Sequence, residues 1–141
     1  MKTLMFRLTG HNLPSYPDRW AGLTSTLSHI TSSIWDEPTS GAVFIAPGDA
    51  RSNHDQLRIG AGLLDDDLLV VIDHAAKTYC GSGGEQRAML QFLAKSQGYH
   101  ELGSQAAIIR ALMARPAAPQ GNTLMDLGRR YGLGNTLTLG Q

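Results

Sequence analysis

The strongest hydrophobic pattern in the chain lies between residues 56 and 73, where two apolar segments flank an acidic stretch. Residues 57–62 and 68–73 are both typical of strands, and the second is apolar at five consecutive positions. A strand covered on both faces has that composition. The pattern therefore predicts a 56–73 hairpin at the centre of a sheet.

Apolar residues at other spacings predict the elements before this hairpin. Residues 3–8 alternate weakly between apolar and polar positions, which favours a strand. Residues 17–34 predict one long N-terminal amphipathic helix, because apolar side chains recur every three or four positions. Its stripe consists of Trp20, Leu23, Leu27, Ile30 and Ile34. Residues 42–46 predict a short apolar strand, and the polar residues 49–55 are expected to be a surface loop.

The second half of the chain favours helices. Residues 85–95 are strong helix formers, although alternating apolar positions leave a strand as an alternative. Residues 105–115 carry a helical stripe that stops before a proline. We therefore predict an α+β fold with a mostly antiparallel sheet, in which residues 1–141 form a single domain and residues 122–141 a short C-terminal helical extension.

Composition and charge exclude several classes of function. Lys and Arg number 12 and Asp and Glu number 12, so no overall charge favours nucleic acid as a partner. The longest apolar run is five residues, and Arg7 interrupts the apolar N-terminus. Neither a membrane helix, which needs about 20 apolar residues, nor a secretory signal is expected. The single Cys80 excludes an intrachain disulfide and favours a cytoplasmic location.

No motif in the chain indicates a cofactor or a metal. The glycines at residues 60–62 and 81–84 lack the GxxxxGK[ST] and GxGxxG arrangements. No histidines occur at the helical or strand spacing that is typical of metal ligands. We therefore predict no cofactor and no metal, and we assign no catalytic residue.

Acidic positions are candidates for binding a protein partner. Asp65, Asp66 and Asp67 would repel one another if they were buried together, so all three are expected to face water. Such a negative turn can dock onto a basic surface and accelerate association with it. The alternative is a solvated turn without a partner.

A second candidate for partner binding lies at the end of the first predicted helix. Trp35 stands next to Asp36 and Glu37, which is typical of an exposed aromatic anchor with an acidic rim. The alternative is a tryptophan of the core.

Cys80 is a candidate nucleophile. It precedes a predicted helix N-terminus and is followed by glycines, a setting that can lower a thiol pKa. His74 or His100 is then the candidate base. The alternative is a small apolar core residue.

Four segments carry a resemblance to a known family: LRIGAG, then LLVVID, then TYCGSGG, and finally a helix ending in RALMARP. Their order over residues 56–116 resembles the small immunity proteins of bacterial polymorphic toxin systems, especially those paired with deaminase toxins. The resemblance implies a compact α+β inhibitor that blocks a toxin in the cytoplasm without catalysis. It also implies a partner with a basic active-site surface. The alternatives are a small cysteine-dependent enzyme that uses Cys80 and an inhibitor of a host defence complex.

Overall fold

The computed structural model describes residues 1–37, 40–84 and 87–114. The elements in chain order are β1 (Lys2–Arg7), α1 (Tyr16–Ile30), β2 (Ser33–Glu37), β3 (Gly41–Ile45), α2 (Ala50–Gly60), β4 (Leu68–Asp73), β5 (Thr78–Ser82), α3 (Arg87–Ser96), β6 (His100–Glu101) and α4 (Ala106–Met113).

The chain divides into two compact units, Met1–Ile108 and Ile109–Gln141. The six strands found among the described residues all belong to the first unit. The predicted helical extension at residues 122–141 lies outside the described residues. That extension, and the single domain of residues 1–141, therefore stay predictions.

The first unit is built on a six-stranded sheet with the strand order β2-β3-β1-β4-β5-β6. Every neighbouring pair is antiparallel except β5 and β6, which are parallel and are connected through α3. A helical crossover is the usual way to join two parallel neighbours. The predicted α+β class with a mostly antiparallel sheet is confirmed.

The main core lies between one face of the sheet and the helices α1 and α2. Leu4 of β1 pairs with Ala42 on one side and with Val71 on the other, so these three side chains share a face. Leu23 of α1 and Leu57 of α2 belong to the same buried cluster. The apolar stripe of α1 and the alternation of β1 therefore meet in one core.

The predicted 56–73 hairpin is wrong in its first half. Residues 50–60 form helix α2, and β4 pairs with β1 and β5 instead. The N-cap of this helix is Asp49, whose carboxylate accepts a hydrogen bond of 2.7 Å from the backbone N–H of Ser52. This cap satisfies one of the free N–H groups at the helix start. The stretch predicted as a loop at residues 49–55 is therefore the beginning of α2.

The first helix also differs from its prediction. Strand β1 precedes it, as the alternation of residues 3–8 predicts, but α1 ends at Ile30 rather than at residue 34. Ile34 belongs to β2, where it pairs with Phe44 of β3. Short apolar runs fit the periods of both helix and strand, and here pairing with β3 decides the conformation.

Two other predictions about helices have outcomes in the structure. The helical alternative for residues 85–95 is confirmed by α3, which spans Arg87–Ser96. Within the described ranges, no helix combines the length and apolar character needed to cross a membrane.

Candidate functional site

The three aspartates of the predicted acidic turn lie in two different environments. Asp65 and Asp66 are exposed in the connection between α2 and β4. Asp67 is 0% exposed and lies in the protein interior. The prediction that all three face water is therefore wrong for Asp67, because this side chain has a charged partner from another segment.

The partner of Asp67 is the buried Arg19 of α1. Its Nη1 atom donates to both carboxylate oxygens of Asp67, at 2.7 and 2.6 Å. The carboxylate also accepts bonds from the backbone N–H of Thr9 at 2.7 Å and that of Leu64 at 2.8 Å. Burial alone would raise the pKa of Asp67, but these hydrogen bonds outweigh it and lower the pKa below its ordinary value. Asp67 is therefore ionised and fixed in place.

Further contacts hold the backbone of the turn. Arg58 of α2 donates to the carbonyl oxygens of Asp67 at 3.1 Å and of Leu64 at 2.7 Å. Gly83, just after β5, packs so closely that a Cβ atom there would overlap the carbonyl oxygen of Asp67. Helix α1, helix α2 and the end of β5 thus all contact the segment that presents Asp65 and Asp66 to solvent.

The second predicted binding group, Trp35, Asp36 and Glu37, lies on β2 and not at the end of a helix. Their backbones pair with β3, while their side chains lie outside the described part of the structure. In the strand order of the described sheet, β2 stands at an edge. Its prediction as part of an interface stays a prediction.

The register places the two predicted groups at the same end of the sheet. Glu37 pairs with Gly41, which also pairs with Met5 near the end of β1. Arg7 at that end pairs with Leu68, the residue after the acidic turn. Three strand spacings separate β2 from β4, or about 14 Å at about 4.8 Å each. The structure therefore brings the groups to one end without joining them.

A second cluster, which the sequence analysis missed, connects α2 to the end of β5. His54 Nδ1 lies 2.8 Å from Asp55 Oδ1, and His54 Nε2 lies 2.7 Å from Ser82 Oγ. Asp55 also accepts bonds from Ser104 Oγ at 2.6 Å and from the backbone N–H of Gln105 at 2.9 Å. We call His54, Asp55, Ser82 and Ser104 the polar chain.

The protonation state of the polar chain follows from its environment. Burial lowers the pKa of His54 below its ordinary value, against the opposing influence of Asp55. Burial would raise the pKa of Asp55, but the bonds from Ser104, His54 and Gln105 lower it. At neutral pH the imidazole is neutral and the carboxylate is ionised. Because a carboxylate can only accept, Nδ1 carries the proton, and Nε2 accepts from the hydroxyl of Ser82.

Sequence reasoning missed this cluster for two reasons. An acid next to a histidine is poorly placed to orient the ring when both lie on a strand, because adjacent side chains then point to opposite faces. His54 and Asp55 instead lie on α2, where the carboxylate reaches the neighbouring ring. Ser82 and Ser104 come from distant parts of the chain, and no spacing in the sequence indicates that they lie next to His54 and Asp55.

The surroundings of Cys80 argue against its role as a nucleophile. The thiol is fully buried in the core, and burial raises its pKa to about 12. His74, a candidate base for Cys80, is hydrogen-bonded to Thr3 Oγ1 at 2.8 Å and to Tyr99 Oη at 2.9 Å. A thiol reacts as its thiolate, which this environment suppresses.

One set of side chains in the described ranges has a composition that could hold a metal. Donor atoms of His54, Asp55 and Cys80 all lie within 4.8 Å of one another. Both ring nitrogens of His54 are already hydrogen-bonded, and the raised pKa of Cys80 keeps its thiol protonated. Because metal ligands must be deprotonated and free to coordinate, a metal ion could bind here only if it displaced these hydrogen bonds and the thiol proton.

The fold and site define an α+β protein with a six-stranded sheet, an anchored acidic turn and a buried polar chain. In comparisons with known proteins, no family model, no curated protein and no solved structure matches this chain. The resemblance to immunity proteins therefore stays a prediction. Function has to be argued from the site, because a fold alone does not define it.

We expect acid to destabilise the protein in two steps. Because the folded pKa of His54 is lowered, the unfolded state takes up this proton first as the pH falls below 6.5, and stability declines. Asp55 and Asp67 have lowered pKa values, so their contribution is present above pH 3.8 and is lost as the pH falls through their folded values.

Urea unfolding from neutral pH to below 3.8 measures both steps. His54→Gln should flatten the first step and retain the second. Equal slopes for the variant and the wild type between neutral pH and 3.8 would refute the assignment of the first step to His54.

Proposed function

We propose that the protein is a protein-binding inhibitor of the immunity type, which binds and blocks a cognate bacterial toxin. The observation that carries this proposal is the acidic turn. Asp65 and Asp66 are exposed on a backbone that the buried Asp67 and Arg58 hold in place.

The construction of the turn supports a binding role. Two neighbouring carboxylates produce a local negative potential, which attracts a basic surface and accelerates association. A segment fixed before binding loses less conformational entropy in the complex than a mobile one. The ion pair of Arg19 and Asp67 provides this fixation without neutralising Asp65 and Asp66. A partner with a basic active-site surface, such as a toxin that acts on nucleic acid, has the complementary charge.

The edge strand β2 supplies the rest of the proposed interface. A standard interface covers about 800 Å² on each partner, which is a patch roughly 30 Å across. The separation of about 14 Å between β2 and β4, from three strand spacings, fits within that patch. We therefore include Trp35, Asp36 and Glu37 as contacts that flank the acidic turn.

The alternatives are separated by different observations. An inhibitor of a host defence complex would need the same charged surface, so only the identity of the partner distinguishes it from a toxin inhibitor. A cysteine-dependent enzyme is disfavoured by the burial and raised pKa of Cys80. A pull-down from a lysate of the source organism should therefore capture the same partner with the Cys80→Ser variant as with the wild type.

Reversing the charge of the turn should weaken binding. The tagged protein first captures its one-to-one partner from a lysate of the source organism. We expect the Asp65→Lys/Asp66→Lys variant to bind that partner at least about tenfold more weakly at low salt, mainly through slower association. Added salt should reduce the difference, because it screens exposed charges.

A matched pair of single variants, Asp66→Lys and Glu101→Lys, separates this effect from net charge, because only the first should weaken binding. Glu101→Lys alters the total charge by the same amount as Asp66→Lys alone, and Glu101 is an exposed residue of β6, at the opposite edge of the described sheet from β2. The control should retain the affinity of the wild type in a titration. Unchanged affinity of the double variant at low salt would remove the acidic turn from the proposed interface.

A further inference from the structure

The polar chain has the connectivity of a nucleophile, a base and an orienting acid. Ser82 Oγ, His54 Nε2, His54 Nδ1 and Asp55 Oδ1 follow one another at contacts of 2.7 and 2.8 Å. We propose that Ser82 is a nucleophile that accepts an acyl group from a carboxylic ester, with His54 as the general base and Asp55 as a positioning residue. This activity goes beyond the proposed binding function and does not depend on it.

In the tautomer of His54 that the ionised Asp55 favours, each hydrogen bond of the polar chain has the direction that this chemistry requires. A serine hydroxyl becomes nucleophilic when an adjacent base accepts its proton within about 2.6–3.2 Å. The ionised Asp55 fixes the proton of His54 on Nδ1, so that Nε2 is free to accept from Ser82. The bonds from Ser104 and Gln105 hold the carboxylate in turn. A neutral imidazole at neutral pH is the form that can act as a base.

Ser82 is the most exposed of the three residues Ser82, His54 and Asp55. Asp55 and His54 are buried, whereas Ser82 is only partly buried. Ser82 is the last residue of β5, and the chain continues through Gly83 and Gly84, both with positive φ, toward α3. The nucleophilic serines of α/β-hydrolases also stand between a strand and a helix, where the next backbone N–H stabilises the oxyanion. Here the residue after Ser82 is Gly83, so its backbone N–H is the corresponding donor.

The reaction balances with an ester and water as the only reactants. Ser82 Oγ bonds to the carbonyl carbon while His54 Nε2 takes the hydroxyl proton. The bond from carbon to the alkoxy oxygen then breaks, and the alcohol leaves with the proton from His54. Water next attacks the acyl-serine and gives a proton to His54, which returns it to Ser82 as the carboxylic acid departs. No oxidant or reductant takes part.

The alternative role of the polar chain is structural, since it connects α2 with β5 and with the segment before α4. A structural hydroxyl has no enhanced reactivity toward electrophiles. An activated one is phosphonylated by a fluorophosphonate, which forms a phosphonyl-serine and releases fluoride. Reactivity therefore separates the two roles.

The first test treats the folded full-length protein with an alkyl fluorophosphonate and maps the modified residue by mass spectrometry. We expect modification of one serine, Ser82, in the native protein and none in urea. His54→Gln should slow the reaction about 100-fold, the lower end of the usual contribution of a general base. Ser28→Ala, which alters an exposed serine of α1, should react like the wild type. Mapping on the wild type needs no variant that has to fold.

The second test examines turnover and the role of Asp55. The wild type should release nitrophenolate from p-nitrophenyl acetate, and Ser82→Ala should not. The rate should be constant above the lowered pKa of His54 and fall below it, since only the neutral ring is a base. The charges that act on His54 are Asp55 and Arg58, both of α2. Because Asp55 raises this pKa, Asp55→Asn should lower the rate and move its midpoint to lower pH.

Two results would overturn the proposal. One is a folded wild type that does not react with the fluorophosphonate at Ser82. The other is equal hydrolysis of p-nitrophenyl acetate by the wild type and by Ser82→Ala, with thermal unfolding showing that both are folded. Neither result bears on the acidic turn, whose test measures affinity for a protein partner.

Discussion

Replacing Asp67 by Asn should lower the free energy of unfolding by about 3–5 kcal/mol, the usual cost of removing one partner from a buried ion pair. Arg19 would keep its charge in the interior without the carboxylate that now receives two of its hydrogen bonds. The backbone N–H groups of Thr9 and Leu64 would also lose an ionised acceptor. Because total stabilities are about 5–15 kcal/mol, this one substitution removes a large share.

The neighbouring residue provides the control for this prediction. Asp66→Asn makes the same chemical change one position earlier, on an exposed side chain. It should alter stability by no more than about 0.5 kcal/mol. Urea denaturation of both variants measures the difference. Equal stabilities would show that the buried pair contributes no more than a surface charge.

A double-mutant cycle tests whether Arg19 and Asp67 act as a unit. Arg19→Met removes the cation and leaves Asp67 with its two backbone donors and the hydroxyl of Thr9. The double variant should lose less stability than the sum of the two single variants, with a coupling of at least about 1 kcal/mol. Additive losses would mean that the carboxylate is stabilised by the backbone and the hydroxyl of Thr9 and not by Arg19.

The sequence predicted those elements whose pattern is local. The apolar run of β4 and the apolar stripe of α1 predict these two elements, because the burial of each follows from the pattern of its own residues. The polar residues Asn53, His54 and Asp55 predict a surface loop, yet all three are buried in helix α2. Buried polar side chains need partners, and here the partners come from other segments.

The candidate sites show the same limit. The acidic turn is predictable because its charges are adjacent in sequence, whereas the burial of Asp67 is not. Asp67 is buried because it pairs with Arg19, which lies 48 residues earlier in the chain. Likewise Ser82 lies 28 residues after His54. Three-dimensional proximity between such distant residues has no signature in the spacing of a single sequence.

Gly83→Ala should be far more damaging than Gly62→Ala, although the two glycines have similar backbones. Their φ angles are 69° and 61°, a region in which a residue with a Cβ atom is strained by about 1–2 kcal/mol. A Cβ on Gly62 would meet nothing within 4 Å. A Cβ on Gly83 would overlap the carbonyl oxygen of Asp67 and approach that of Asp65 to 2.8 Å.

The difference between these variants isolates the packing of the turn against β5. Both carry the backbone strain, so the excess cost of Gly83→Ala reports the overlap, which we expect to add about 3 kcal/mol. Backbone atoms cannot rotate away as a flexible side chain does, so relief requires the turn to move. Urea denaturation of both variants measures the excess. If the two lose equal stability, the acidic turn yields easily, and its fixation would no longer support the proposed binding role.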